Sequence, residues 1–176
     1  IRLLLAPDAF YEHGSWTKEQ RSEILEKIIK YIMKHKEKFS LIVKIHPSAA
    51  NLDDYRKIIH SIDPSIPVFQ DGGIQNYLDK TDVVISYSTQ STGLIYSLLS
   101  KKPIIICNFF KEELEEFIDT RLIIECKSID SFEKTLNGTF SHDSIYEELR
   151  NQYISKYLFK GDGLSGMRIC DDLLSL

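Results

Sequence analysis

Six short runs of apolar residues, rich in β-branched side chains, recur along the chain at 3–6, 41–45, 67–69, 82–86, 103–107 and 122–125. They are unbroken rather than alternating, which is the pattern of strands covered on both faces, as in a parallel sheet. Parallel neighbours need long crossovers, and the intervening segments have helical periodicity. Thr17 with Gln20 forms a capping box, after which Ile24, Leu25, Ile28, Ile29, Ile32 and Met33 recur at three- and four-residue steps. Leu52, Tyr55, Ile58, Ile59 and Ile62 make a second stripe closed by Asp63-Pro64, and Leu94, Ile95, Leu98 and Leu99 a third that stops at Lys101-Lys102-Pro103. Shorter helices are expected at 111–118 and 130–136, and two consecutive helices, about 142–158 and 164–174, follow the last strand around Gly161-Asp162-Gly163. Repeated βα units with right-handed crossovers give an α/β fold: a doubly wound parallel sheet of about six strands with two trailing helices. The expected strand order is close to 3-2-1-4-5-6, with a ligand crevice between the ends of the first and fourth strands. No repeat, linker or low-complexity stretch interrupts residues 1–176, which read as a single domain.

Composition narrows the function. A chain of 176 residues buries roughly 70% of its unfolded surface, enough to close a core without disulfides or a structural metal. No apolar run approaches the ~20 residues of a membrane span. Twenty-two Lys plus Arg against 26 Asp plus Glu leave a net charge of −4, which argues against a nucleic-acid groove. The three cysteines, Cys107, Cys126 and Cys170, are odd in number and widely spaced. They read as buried free thiols in a reducing compartment rather than as metal ligands. The run Lys34-His35-Lys36-Glu37-Lys38 reads as a solvated helix end.

In such a sheet, ligands lie beyond the carboxyl ends of the strands. The polar residues there are Asp8, His13, Gly14 and Ser15; His46 and Ser48; Gln70, Asp71, Gly72 and Gly73; Ser86, Ser88, Thr89, Ser91 and Thr92; and Asn108. Lys44-Ile45-His46-Pro47 ends a strand with a histidine kept extended by the following proline, and residues 44 and 46 share one side of the pleat. The plain alternative is a solvated Lys44 and a structural His46. Ser86-Tyr87-Ser88-Thr89-Gln90-Ser91-Thr92-Gly93 leads into a helix N-terminus, where free N–H groups and the helix dipole favour an anion. One hydroxyl would suffice for a cap, and five in seven residues exceed that need. The G-x-G-x-x-G, G-x-x-x-x-G-K-[ST] and G-x-S-x-G motifs are all absent, which disfavours NAD-type, P-loop and α/β-hydrolase chemistry. Paired acids for a phosphoacceptor are also missing, and no cofactor or metal site is expected.

Ala6-Pro7, Lys44-Ile45-His46-Pro47, the segment 82–89 ending Tyr87-Ser88-Thr89, Lys102-Pro103-Ile104-Ile105 and the Asp162-Gly163, Ser165, Arg168-Ile169 pattern occur in that order. Together they resemble the C-terminal half of GT-B glycosyltransferases, nearest the CDP-glycerol glycerophosphotransferase and capsular-polysaccharide transferase group. Bacterial sialyltransferases share a similar His-Pro and serine pattern. The resemblance implies a metal-independent transferase of surface polysaccharide synthesis that takes a CDP-, CMP- or UDP-linked sugar or polyol donor. It places His46 in the catalytic role and Ser88 and Thr89, with Ser91 and Thr92 beside them, on the donor phosphates; from their positions at the strand ends, Lys44 is expected on the phosphates as well, and Asp8, Gln70, Asp71 and Gly72 along the nucleotide. The chain departs from the glycerophosphotransferase pattern at Ser86, where an acid usually precedes the tyrosine.

Two other readings stand beside this one: a UDP-sugar 2-epimerase-like GT-B domain, and a degenerate α/β module kept for protein interaction. The resemblance also implies a cytoplasmic location, either free or peripheral at the inner face of the membrane. Because the chain opens inside a strand without Met, it reads as half of a two-domain enzyme, inactive without its N-terminal domain. The closing helix would then lie against that domain, leaving Leu164, Met167, Leu173 and Leu174 as an exposed apolar patch.

Overall fold

The strands of the computed structural model show why continuous apolar runs specify this sheet. Residues 1–49, 51–88, 91–110, 122–138, 144–158, 160 and 162–175 are described. In register, Leu3 of β1 (Arg2–Leu5) faces Leu41 of β2 (Ser40–Lys44) on one side and Val83 of β4 (Val83–Ser86) on the other. Leu5 likewise sits between Val43 and Ile85. All six side chains belong to the larger core, whereas Leu4 and Val84 turn to the opposite face with Leu78 and the partly buried Ile42. Alternation along each strand therefore feeds two cores, so both faces of the central strands call for apolar residues. With β3 (Val68–Phe69), β5 (Ile104–Cys107) and β6 (Ile124–Cys126) the sheet has six parallel strands in the order β3-β2-β1-β4-β5-β6, the expected architecture.

The crossovers follow local chemistry. Helix α1 (Lys18–Lys34) opens on the Thr17 capping box, with Gln20 N–H donating to Thr17 Oγ1 at 3.2 Å and Thr17 N–H to Gln20 Oε1 at 2.8 Å. It buries Ile24, Leu25, Ile28, Ile29 and Ile32 in the larger core, where Tyr55 and Ile59 of α2 (Leu52–Ile62) and Phe132 and Leu136 of α5 (Ile129–Gly138) join it. On the other face a single turn, α3 (Gln75–Leu78), not foreseen in the sequence, contributes Leu78, and Ile74 just before it packs there too. Helix α4 (Thr92–Leu99) ends in a Schellman arrangement, with Lys102 N–H bonded to Ser97 O at 2.8 Å and Lys101 N–H to Leu98 O at 3.1 Å. Lys101 occupies the left-handed position at φ 56°, where glycine is usual. The helix expected at 111–118 lies outside the described residues.

By its internal contacts the chain divides into two units, Ile1–Ser141, which holds the sheet, and His142–Leu176. In the second, α6 (Ser144–Tyr153) continues as a π-helical turn, Ile154–Leu158, and α7 (Ser165–Leu174) follows. Asp162 caps the approach to α7 by accepting from Leu164 N–H at 3.0 Å and pairs with Arg168. Leu164, Met167, Leu173 and Leu174 are exposed, as is Ile169. Among the described residues no helix is long and apolar enough to cross a membrane.

Candidate functional site

The carboxyl ends of β1, β2 and β4 meet at one edge of the sheet, and two clefts open there. The larger, about 260 Å³, is bounded by Ala6 and Pro7 after β1, Lys44 to Pro47 at the end of β2, residues 72–75, and Ser91, Thr92, Gly93 and Tyr96 of the α4 start. The smaller, about 210 Å³, is bounded by Asp8, Ala9, Phe10, His13, Ser88, Ser91 and Thr92. His46, Ser91 and Thr92 line both and form the wall between them.

His46 is held by its own turn. Ala49 N–H returns to His46 O at 3.0 Å, and the Nδ1 atom accepts Ser48 N–H at 3.2 Å with Ser48 Oγ at 2.6 Å. A backbone N–H can only donate, so Nδ1 is an acceptor and the neutral ring carries its proton on Nε2. The imidazole, which lines both clefts, therefore keeps an N–H donor that is not used in its own turn. The His13 ring stands edge-on to it, centroids 6.4 Å apart. His13 comes from a tight loop in which His13 N–H bonds Ala9 O at 2.9 Å and Ser15 N–H bonds Phe10 O at 2.8 Å, with Gly14 at φ 78°.

The hydroxyls divide their work. Ser91 is the N-cap of α4 and accepts Gly93 N–H at 3.2 Å, the ordinary capping role. Ser86 donates to Asp8 Oδ2 at 2.8 Å and to Ala6 O at 3.1 Å, which ties β4 to β1. Ser97 donates to Gly93 O at 2.7 Å inside the helix. Thr92, exposed at the first turn of α4, and Ser88, buried in the wall of the smaller cleft, are the other serine and threonine side chains lining the clefts. Thr89 lies outside the described residues.

Asp8 lines the smaller cleft, but its Oδ2 also accepts Tyr87 N–H at 3.1 Å, so the carboxylate is a strut under the 86–88 turn. Burial raises its pKa, opposed by the Ser86 hydroxyl, the Tyr87 and Ser88 amides and the nearby His46. Lys44 is buried, and its Nζ donates to Gln70 O at 2.6 Å and Ile45 O at 3.0 Å. It reaches the larger cleft as part of its floor while fastening β2 to the segment after β3. Burial lowers its pKa, with Asp71 pulling the other way. Gln70 turns inward, donating to Ala49 O at 2.7 Å and His46 O at 3.3 Å, and so braces the His46 turn from outside both clefts. Asp71 is exposed and lines neither cleft. Gly72 does line the larger one, at φ 73°, a conformation that a side chain rarely adopts. Gly93 permits a close approach, since a Cβ there would stand 3.1 Å from Ile74 Cδ1.

The structure thus gathers His46, Thr92, Ser91, Ser88, Asp8, Lys44 and Gly72 at one edge, whereas Gln70 and Asp71 line neither cleft. It adds Tyr96 and Ile74. Tyr96, one turn after Thr92 on the same helix face, was within reach of a periodicity argument. Ile74 was not, because the α3 turn that carries it has no period. Among the described residues no group of three or more His, Cys, Asp or Glu side chains is arranged to hold a metal ion.

No protein-family model and no curated protein sequence matches the chain. Among solved structures, the catalytic domain of cholesterol-alpha-glucosyltransferase from Helicobacter pylori is similar to it, with a TM-score of 0.50 at 12% identity over 91% of this chain and 99% of that one. At that identity the likeness is one of fold, between this sheet of six parallel strands with its flanking helices and a glycosyltransferase catalytic domain.

Proposed function

We propose that this chain binds the phosphate of a nucleotide-activated sugar or polyol donor and serves as the donor-binding domain of a GT-B glycosyltransferase or glycerophosphotransferase. The observation that carries the reading is the wall between the two clefts. There an Nε2–H donor from His46 stands with the Ser91-capped start of α4 and the Thr92 hydroxyl. Neutral N–H and O–H donors together with a helix dipole suit a phosphate group. When the bond from the sugar or polyol to the nucleotide breaks, negative charge builds on the departing phosphate oxygen. Donors fixed in place before that moment lower the barrier without reorganising.

The two clefts differ in character. The larger offers the 72–73 backbone, Ile74 and the exposed Tyr96 ring, which favours a nucleoside; the smaller offers Asp8, His13 and Ser88, which favours a hydroxylated sugar or polyol. The finer reading, a CDP-, CMP- or UDP-linked donor used in surface polysaccharide synthesis with a second domain supplying the acceptor base, rests on the motif resemblance.

A thermal-shift panel of CMP, CDP, UDP, GDP and CDP-glycerol tests it. A ligand at a hundredfold its Kd stabilises the native state by about 2.7 kcal/mol, a rise of roughly 5–10 °C for a chain of this size. A hit within the panel supports the reading and names the base. No shift with any of the five, at concentrations up to several millimolar, overturns it in favour of an interaction module.

A further inference from the structure

Strands β5 and β6 pair in parallel with Ile105 against Ile124, Ile106 against Glu125 and Cys107 against Cys126. Register partners in a parallel pair project to the same face, and both cysteines lie in the larger core with Phe132 and Leu136 of α5. Adjacent strands are about 4.8 Å apart, inside the roughly 4.4–6.8 Å Cα separation that a disulfide spans. Both thiols are free and buried, and they interact. Cys126 Sγ also lies 3.2 Å from Ser128 O and 3.6 Å from Ser131 Oγ.

We propose that Cys107 and Cys126 form a redox-active dithiol that closes to an intramolecular disulfide by exchange with a small-molecule disulfide such as glutathione disulfide. Cys126 is the attacking residue. It stands on β6, a three-residue strand at the sheet edge whose Ile124 and Glu125 are only half-buried, so local opening of that strand exposes it first. The neighbouring Cys107 thiol, aided by the Ser131 and Thr135 hydroxyls and the Ser128 backbone, draws the Cys126 thiol down to about 6 against the effect of burial. Burial pushes the Cys107 thiol well up, with Cys126 adding to the rise.

In the first step the Cys126 thiolate attacks one glutathione sulfur, forming a mixed disulfide and releasing one glutathione thiolate. In the second, Cys107 gives up its proton and attacks the Cys126 sulfur, expelling the second glutathione. The protein loses two electrons and two protons, and both are accounted for in two molecules of reduced glutathione. Closure ties the edge strand to its neighbour and encloses residues 108–125, which restrains the unfolded chain.

The test uses the full chain carrying Cys170→Ser, which removes the exposed thiol. The protein is equilibrated across a series of glutathione disulfide to glutathione ratios, in buffer and in urea, starting from both the reduced and the oxidised form. Acid quench, denaturation, maleimide alkylation and mass spectrometry then count the thiols. The expected result is that the folded chain loses both thiols together, without a retained glutathione adduct, at a ratio at least tenfold less oxidising than the chain in urea requires. A folded-state midpoint at or above the urea value, a persistent mixed disulfide, or an oxidised chain that fails to refold overturns the proposal.

Discussion

Replacing Asp8 separates a strut from a ligand contact, and the two roles have opposite signatures. In Asp8→Ala the Tyr87 N–H loses its acceptor, while Ser86 Oγ keeps Ala6 O as a partner. Tyr87 is 1% exposed, so water reaches its amide poorly, and an unsatisfied buried N–H costs about 1–3 kcal/mol. Part of that loss is regained because a desolvated carboxylate is no longer buried, so the net cost at pH 7 is about 1–2 kcal/mol. Asp8→Asn keeps an acceptor oxygen for the amide and removes the charge, so its stability stays within about 1 kcal/mol of the parent. The pH dependence has a defined sign. The folded pKa of Asp8 is raised, chiefly by burial, so its contribution is fullest below the unfolded value of about 3.9 and is lost as pH rises through the folded pKa. Urea denaturation from pH 3.5 to 7 therefore shows the parent losing ground to Asp8→Asn as pH rises. Nucleotide affinity in Asp8→Asn should stay within a factor of about three of the parent. Asp8→Ala as stable as the parent at pH 7, or an Asp8→Asn chain with parental stability and tenfold weaker nucleotide binding, would refute the strut.

Other substitutions probe the frame around the site. Asp82, held by Arg2 through its guanidinium and its backbone N–H, titrates at about 2. Its contribution is present above about pH 4 and is lost as pH falls through 2; because the pair is largely exposed, Asp82→Asn should cost only about 1 kcal/mol at pH 7 and only a small part of that at pH 2, read by denaturant titration at both pH values. Lys101→Gly relieves the left-handed backbone at the end of α4 and should raise the melting temperature, by about 1 kcal/mol of stability. Gly93→Ala adds helix propensity but sets a methyl 3.1 Å from Ile74 Cδ1 beside the larger cleft. Calorimetry should find nucleotide affinity reduced several-fold with no loss of stability.

The strand order was readable because continuous apolar runs admit little but a sheet buried on both faces, and helical periods between them admit little but parallel crossovers. The edge carrying the site followed from that topology, so His46, Ser91, Thr92 and Gly72 could be placed before any coordinates. How each polar side chain spends its hydrogen bonds was not readable. Asp8, Lys44 and Gln70 sit in sequence like ligand contacts, yet each is committed to fastening one loop to another, because buried amides and carbonyls at strand ends demand partners that spacing does not reveal. Ser91 turned out to serve the capping role that any one hydroxyl in its segment could have filled. The α3 turn was invisible, since four residues hold no period. Cys170, read as buried, is exposed because α7 buries none of its residues.

Calorimetric titration of a nucleoside diphosphate and its parent nucleoside onto the full chain, repeated with His46→Ala, tests the central claim most directly. The account predicts that the diphosphate binds the parent chain more tightly than the nucleoside does. It also predicts that His46→Ala removes about 1.5–3 kcal/mol of that advantage, the worth of a hydrogen bond to a charged group, while leaving nucleoside affinity and the melting temperature unchanged. A diphosphate that binds no better than its nucleoside, or an advantage of the same size in His46→Ala, would contradict it.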